Sequence, residues 1–198
     1  MKKLITLLLL FNTACAASFS WVTNTNGNWS NPSNWLPNGA PGANDDVIIM
    51  SSATLTVDMI IKCKSITIVS AATIICNYQL TTGNLTIDQN LTFSGPQMAV
   101  INGAATFGYN CSLTVNNKVN FNGGGIVMGG DSAGTITNNG TILVTGNFTY
   151  GYQSQLINNG MLHFINAQIN GPVGSFIVKN SATASLTVTG GTVDVQTQ

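Results

Sequence analysis

Six aspartates, Asp45, Asp46, Asp58, Asp88, Asp131 and Asp194, are the only acids in this chain of 198 residues, which has neither glutamate nor arginine. Glycoside hydrolysis generally uses two carboxylates at a set separation, one giving a proton and the other acting as base or nucleophile. Asp45 and Asp46 are adjacent, but successive side chains of a strand point to opposite faces, so this pair reads as turn capping. Asp131, in "MGGDSAG", has no second acid near it in sequence. Lyase chemistry on acidic polysaccharides calls for carboxylates that hold calcium and a basic Arg or Lys, and the sequence has no acidic cluster. His163 is the sole histidine. Leu162 and Phe164 on either side of it share a face, which turns His163 outward, and one histidine without spatial partners makes no Ser-His-Asp array. Cys63, Cys76 and Cys111 follow no zinc spacing and sit among apolar or small residues, so they read as buried free thiols. The expectation is a protein without catalytic activity, cofactor or metal. A polysaccharide-active enzyme of lyase or hydrolase type is the third reading.

Binding chemistry has two candidates. Trp21, Trp29 and Trp35 are all the tryptophans of the chain and lie within one short stretch. Aromatic faces stack on pyranose rings, so they are candidates for a carbohydrate-binding platform; packing as core at a chain terminus is the other use of such residues. Thr54 with Thr56, Thr135 with Thr137 and Thr187 with Thr189 are spaced to present hydroxyls on one strand face, an arrangement that suits ice-binding arrays, although the pairs do not recur at a constant interval. The formal net charge is zero. Without a basic stripe, nucleic acid is not an expected partner. Asn, Thr, Ser and Gly supply the polarity, and regular Val, Ile, Leu and Phe supply a core.

These residues need elements to position them, and the sequence repeats. Asn117, Asn139, Asn159 and Asn180 fall at intervals near 21 residues, after the short segments "SLTVNN", "TITNNG", "QLINNG" and "FIVKN". Apolar residues in those segments alternate with period two, which is strand patterning, and Thr, Val, Ile and Phe dominate them. Three short strands and three turns make one coil of a parallel β-helix of that length, with equivalent strands stacked about 4.8 Å apart. Asn suits the recurrent corner because it tolerates left-handed backbone and because stacked amides bond in a ladder. The four asparagines are therefore the predicted corner ladder. Weaker echoes lie near Leu55, Ile66 and Leu85, whereas "SGPQMAVINGAATFGYN" and "NGGGIVMGGDSAGT" break the rhythm and read as loops. The predicted fold is all-β: a single-stranded right-handed parallel β-helix with an N-terminal cap. An antiparallel β-sandwich is the alternative, since turn signals between short strands also fit it.

Lys2, Lys3, the apolar "LITLLLLF" and the small residues Ala14 and Ala16 read as a signal peptide over 1–16. The apolar run is too short for a membrane span. "NTAC" also offers lipid anchoring through Cys15. Residues 17–50, rich in Trp and Pro, then form a cap, and 51–198 form the β-helix, with about six or seven coils. Within the cap, Trp29-Ser30, Asn34-Trp35, Pro41-Gly42 and "DDVII", followed by "ATLTVDMIIKCKSITI", resemble the opening of many secreted and cell-surface parallel β-helix proteins. Those belong to the pectate-lyase-like superfamily and are often adhesin- or autotransporter-like. The stretch is similar, too, to the start of the eight-glycine extracellular domain. The resemblance implies a secreted or cell-surface β-helix and implies no activity. The functional expectation is a structural or adhesive surface protein, with a carbohydrate-binding module as the alternative. Extracellular glycans or neighbouring surface proteins are the expected partners. Strand-like alternation in "LTVTGGTVDVQTQ" adds end-to-end self-association.

Overall fold

A computed structural model describes residues 16–22, 26–129, 133–171 and 177–193. The expected signal peptide and Cys15, apart from Ala16, lie outside the described residues, as do Asp131 and Asp194.

Period-two alternation becomes stacked parallel strands. One eight-stranded sheet forms the first face of the column, running from Gly27–Asn28 through Ala53–Val57, Ala72–Cys76, Leu91–Ser94, Ser112–Val115, Thr135–Asn138 and Gln155–Asn158 to Ile177–Asn180. A thirteen-stranded sheet forms the other two faces. It is continuous because long strands such as Ile61–Ile68, Leu80–Ile87 and Met161–Asn170 bend across both. The chain visits the first, second and third face in turn and returns one level along the axis. The result is a β-solenoid of about seven turns. Every strand pair among the described residues is parallel except that of Ser18–Trp21 with Trp35–Leu36, which removes the sandwich alternative.

Register shows why alternation builds a core. On the first face Leu55 lies over Ile74, Ile74 over Phe93, and Phe93 beside Val115. On the second, Val119, Ile142 and Leu162 form one file; on the third, Ile66, Leu85, Ala105 and Ile126 form another. All of these side chains are buried, so each coil contributes one layer to a continuous apolar interior. Fully burying one such aliphatic side chain contributes about 1.5–3 kcal/mol.

Two segments expected as loops are strands. Met98–Ile101 and Ala105–Phe107 continue the second and third faces, and Ile126–Met128 continues the third. Glycines hid them, because Gly103, Gly123, Gly124 and Gly125 crowd the corners where consecutive coils touch. A Cβ on Gly124 or Gly125 would run into the backbone of the neighbouring coil.

At the N-terminal end Trp35–Leu36 covers the edge of Ser18–Trp21 in antiparallel fashion. In the last described coil Val178, Leu186 and Val188 are 43–44% exposed, whereas Leu156, Leu162 and Phe164 one coil earlier are 1–2% exposed.

Candidate functional site

The tryptophans form a plug. Trp21 and Trp35 meet edge to face with ring centroids 4.9 Å apart, as do Trp29 and Trp35. Trp35 Nε1 donates to the Trp29 carbonyl at 2.8 Å, and Trp29 N donates to the Thr56 carbonyl, which fastens the plug to the first full coil. Ser30 adds bonds from its amide and its hydroxyl to the Asp58 carboxylate, at 3.1 and 2.5 Å. The expected sugar platform is corrected here. Trp21 and Trp29 are completely buried and Trp35 nearly so, leaving no ring face for a pyranose. The open end of an apolar column has more use for these rings than solvent has.

The asparagine ladder exists in a different register. Asn138 and Asn158, one residue earlier than expected, lie in the core file below Val115 and are fully buried. Asn138 Nδ2 donates to Asn158 Oδ1 at 2.7 Å, and Asn158 Nδ2 donates to Asn180 Oδ1 at 2.7 Å. The second hydrogen of each amide reaches the first strand of the next coil's second face, at the Met161 and Ser185 carbonyls. Asn139 and Asn159 form a separate, exposed ladder that begins at Asn116: Asn139 Nδ2 donates to Asn116 Oδ1, and Asn159 Nδ2 to Asn139 Oδ1, both at 2.9 Å. Asn117 joins neither; it donates back to the carbonyls of Ser94 and Gln97 and stands at the level of Gly140. Of the four expected residues only Asn139 and Asn159 touch.

The reason for Asn-Asn-Gly also changes. None of these asparagines has a positive φ; among non-glycine described residues only Asn110, Gln153 and Asn166 do. The first Asn of the triplet bonds inside and the second outside. The glycine permits contact between coils, since a Cβ on Gly140 would overlap the Asn117 carbonyl and one on Gly160 the Gly140 carbonyl.

The ionisable groups are dispersed. Asp45 accepts from the amides of Ala17 and Gly42, a turn-capping role. Asp46 pairs with Lys64 at 2.8 Å and accepts from Ser65, and these two hydrogen bonds hold its carboxyl below the usual range. His163 points outward to the Thr189 hydroxyl at 3.0 Å. Cys63, Cys76 and Cys111 are buried and unpaired; burial pushes the Cys63 thiol up to about 11 and that of Cys76 to about 12. No group of three or more His, Cys, Asp or Glu able to hold a metal ion occurs among the described residues. No described helix is long and apolar enough to cross a membrane.

What remains is surface, and the first face is the most regular part of it. Its outward residues form a file in direct register: Thr54, Thr73, Thr92, Thr114 and Thr137. Two positions back along each strand run Asn90, Ser112, Thr135 and Gln155. Near the plugged end a shallow trough of about 310 Å³ lies against this face, lined by Asn26, Ser52, Thr54, Thr73, Asn90 and Thr92 among others. From Gly27–Asn28 to Gln155–Asn158 no strand of this face holds a charged residue. Sequence reasoning saw threonine pairs along single strands and missed the file across strands. The successive threonines are 19, 19, 22 and 23 residues apart, and only the coil register brings them into line.

No protein-family description, curated protein or solved structure matches this chain.

Proposed function

We propose that this protein is a secreted or cell-surface structural or adhesive element that works by presenting a rigid, uncharged surface and performs no reaction. The observation behind this reading is the first face: an extended sheet, free of charge over most of its length, most of whose outward positions carry hydroxyl or amide groups in register, with Ile75 and Ile157 as aliphatic exceptions. Such a surface favours many weak polar contacts with neutral glycans or with neighbouring proteins, whose sum is large because the scaffold is already ordered. The signal-like N-terminus and the opening motif, similar to that of extracellular β-helix proteins, support export. Among the described aspartates, Asp45, Asp46 and Asp58 are occupied in capping and docking contacts. The test is a glycan array with insoluble polysaccharide pull-down on the full chain, together with turnover assays on pectin and alginate. Retention on glycans without turnover is the expected result. Turnover abolished by an aspartate substitution would overturn it.

A further inference from the structure

We infer that the first face is the contact surface itself, and that it takes a neutral, extended β-1,4-linked polysaccharide chain laid along the solenoid axis, one sugar ring per coil. This rests on the adhesive reading above and names its site and ligand class.

Three observations support it. The first is spacing. Thr54, Thr73, Thr92, Thr114 and Thr137 succeed one another at the inter-strand interval, about 4.8 Å, and the five together span about 19 Å. That interval is close to the advance per ring of an extended β-1,4-linked chain, so a chain along the axis meets one threonine at each ring. The other two faces offer no such file. The second face runs Lys62, Thr81, Val100, Asn120, Leu143, His163, and the third is interrupted by Ile48 and Val127 on either side of Thr67, Thr86 and Thr106.

The second is unused hydrogen-bonding capacity. None of the five hydroxyls bonds to another described residue, while other outward polar groups do pair, as Ser112 with Asn90 beside the file and Thr149 with Asn170 on the third face. A threonine hydroxyl both donates and accepts, so it serves the alternating ring orientations of a β-1,4 chain. Its β-branched side chain is already restricted at χ1, which keeps the ordering cost of binding small.

The third is charge and shape. The absence of charge on these strands fits a neutral polymer and gives an anionic one nothing to pair with. The trough beside Thr54, Thr73 and Thr92, where Ala71 stands between Ser52 and Asn90, makes this face concave at the plugged end. Stacking on aromatics plays no part, because all three tryptophans are buried.

The test is affinity electrophoresis and NMR titration of the full chain with cello-oligosaccharides and chito-oligosaccharides of two to eight rings, with polygalacturonate as the charged comparison. The cello and chito arms separate the two polymer sources. Affinity is expected to rise with length to about five rings and then level, without change in tryptophan emission and without binding of polygalacturonate. Thr92→Val removes one hydroxyl at nearly constant shape and should weaken binding about 3- to 10-fold. Thr73→Val with Thr92→Val and Thr114→Val should abolish it, and Thr86→Val on the third face should leave it unchanged. Binding to neutral glycans that ignores the first-face substitutions overturns this inference and leaves the adhesive reading standing. Absence of binding to any glycan or surface protein overturns both. Threonine-dependent inhibition of ice recrystallisation without glycan binding assigns the face to ordered water and overturns the ligand proposed.

Discussion

Replacing Asn158 by alanine removes a side chain with no solvent exposure and three hydrogen bonds: one received from Asn138 at 2.7 Å, one given to Asn180 at 2.7 Å and one given to the Ser185 carbonyl at 3.0 Å. A buried neutral hydrogen bond contributes about 1 kcal/mol net, so the expected loss is about 3 kcal/mol. For a chain of this size each kcal/mol moves the melting temperature by about 2–4 °C, which predicts a drop of about 6–12 °C. Asn159 is the control one residue away. It is exposed and gives a single bond, to Asn139 at 2.9 Å, so Asn159→Ala should cost about 0.5 kcal/mol and move the melting temperature by no more than about 2 °C. Thermal unfolding followed by circular dichroism near 218 nm on both variants, with urea midpoints as a second measure, reads the difference. Equal losses for the two variants, or a larger loss at Asn159, would refute the two-ladder arrangement. The bonds that hold the corners together would then lie elsewhere.

Other outcomes follow from the same packing. Acrylamide should barely quench tryptophan emission in the folded protein, since Trp21, Trp29 and Trp35 are sealed; strong quenching would mean the plug is not formed. Trp35→Phe should lower the melting temperature through loss of the bond to the Trp29 carbonyl, and should leave glycan binding unchanged. Cys63 and Cys76 should resist a thiol reagent at pH 8 until the chain unfolds. Their raised pKa values make them stabilising only while the unfolded thiols also stay protonated. Stability from this source is therefore complete below about pH 8.5 and is lost as pH rises through 11 to 12; Cys76→Ala should flatten that alkaline decline. Lys64→Ala should change stability by less than about 1 kcal/mol, because both partners of its ion pair with Asp46 are exposed.

The coil was legible in the sequence because it is written in alternation and in a repeated corner. Ile136 with Asn138, Leu156 with Asn158 and Val178 with Asn180 share parity, so the inner ladder was also readable. The more conspicuous second asparagine of each triplet drew the assignment to the outside instead. Asn117 misled for a related reason: its segment places Val115 where the later coils place asparagine, so its two asparagines fall one step beyond. The strands Met98–Ile101 and Ile126–Met128 were hidden by corner glycines, which signal turns locally but here allow neighbouring coils to touch. The role of the tryptophans turned on burial, which composition does not give. The threonine file needs the register of five coils of unequal length, and no periodicity within one strand reports that.

The arrangement of the first face can be measured directly by dipolar electron paramagnetic resonance between spin labels placed in pairs at Thr54 and, successively, Thr92, Thr114 and Thr137. If the five threonines form one axial file, the three distances grow by a constant step of about 4.8 Å per coil, from about 10 to about 14 to about 19 Å between Cα positions. Distances that fail to increase in that order, or that alternate between near and far, would contradict the stacked file.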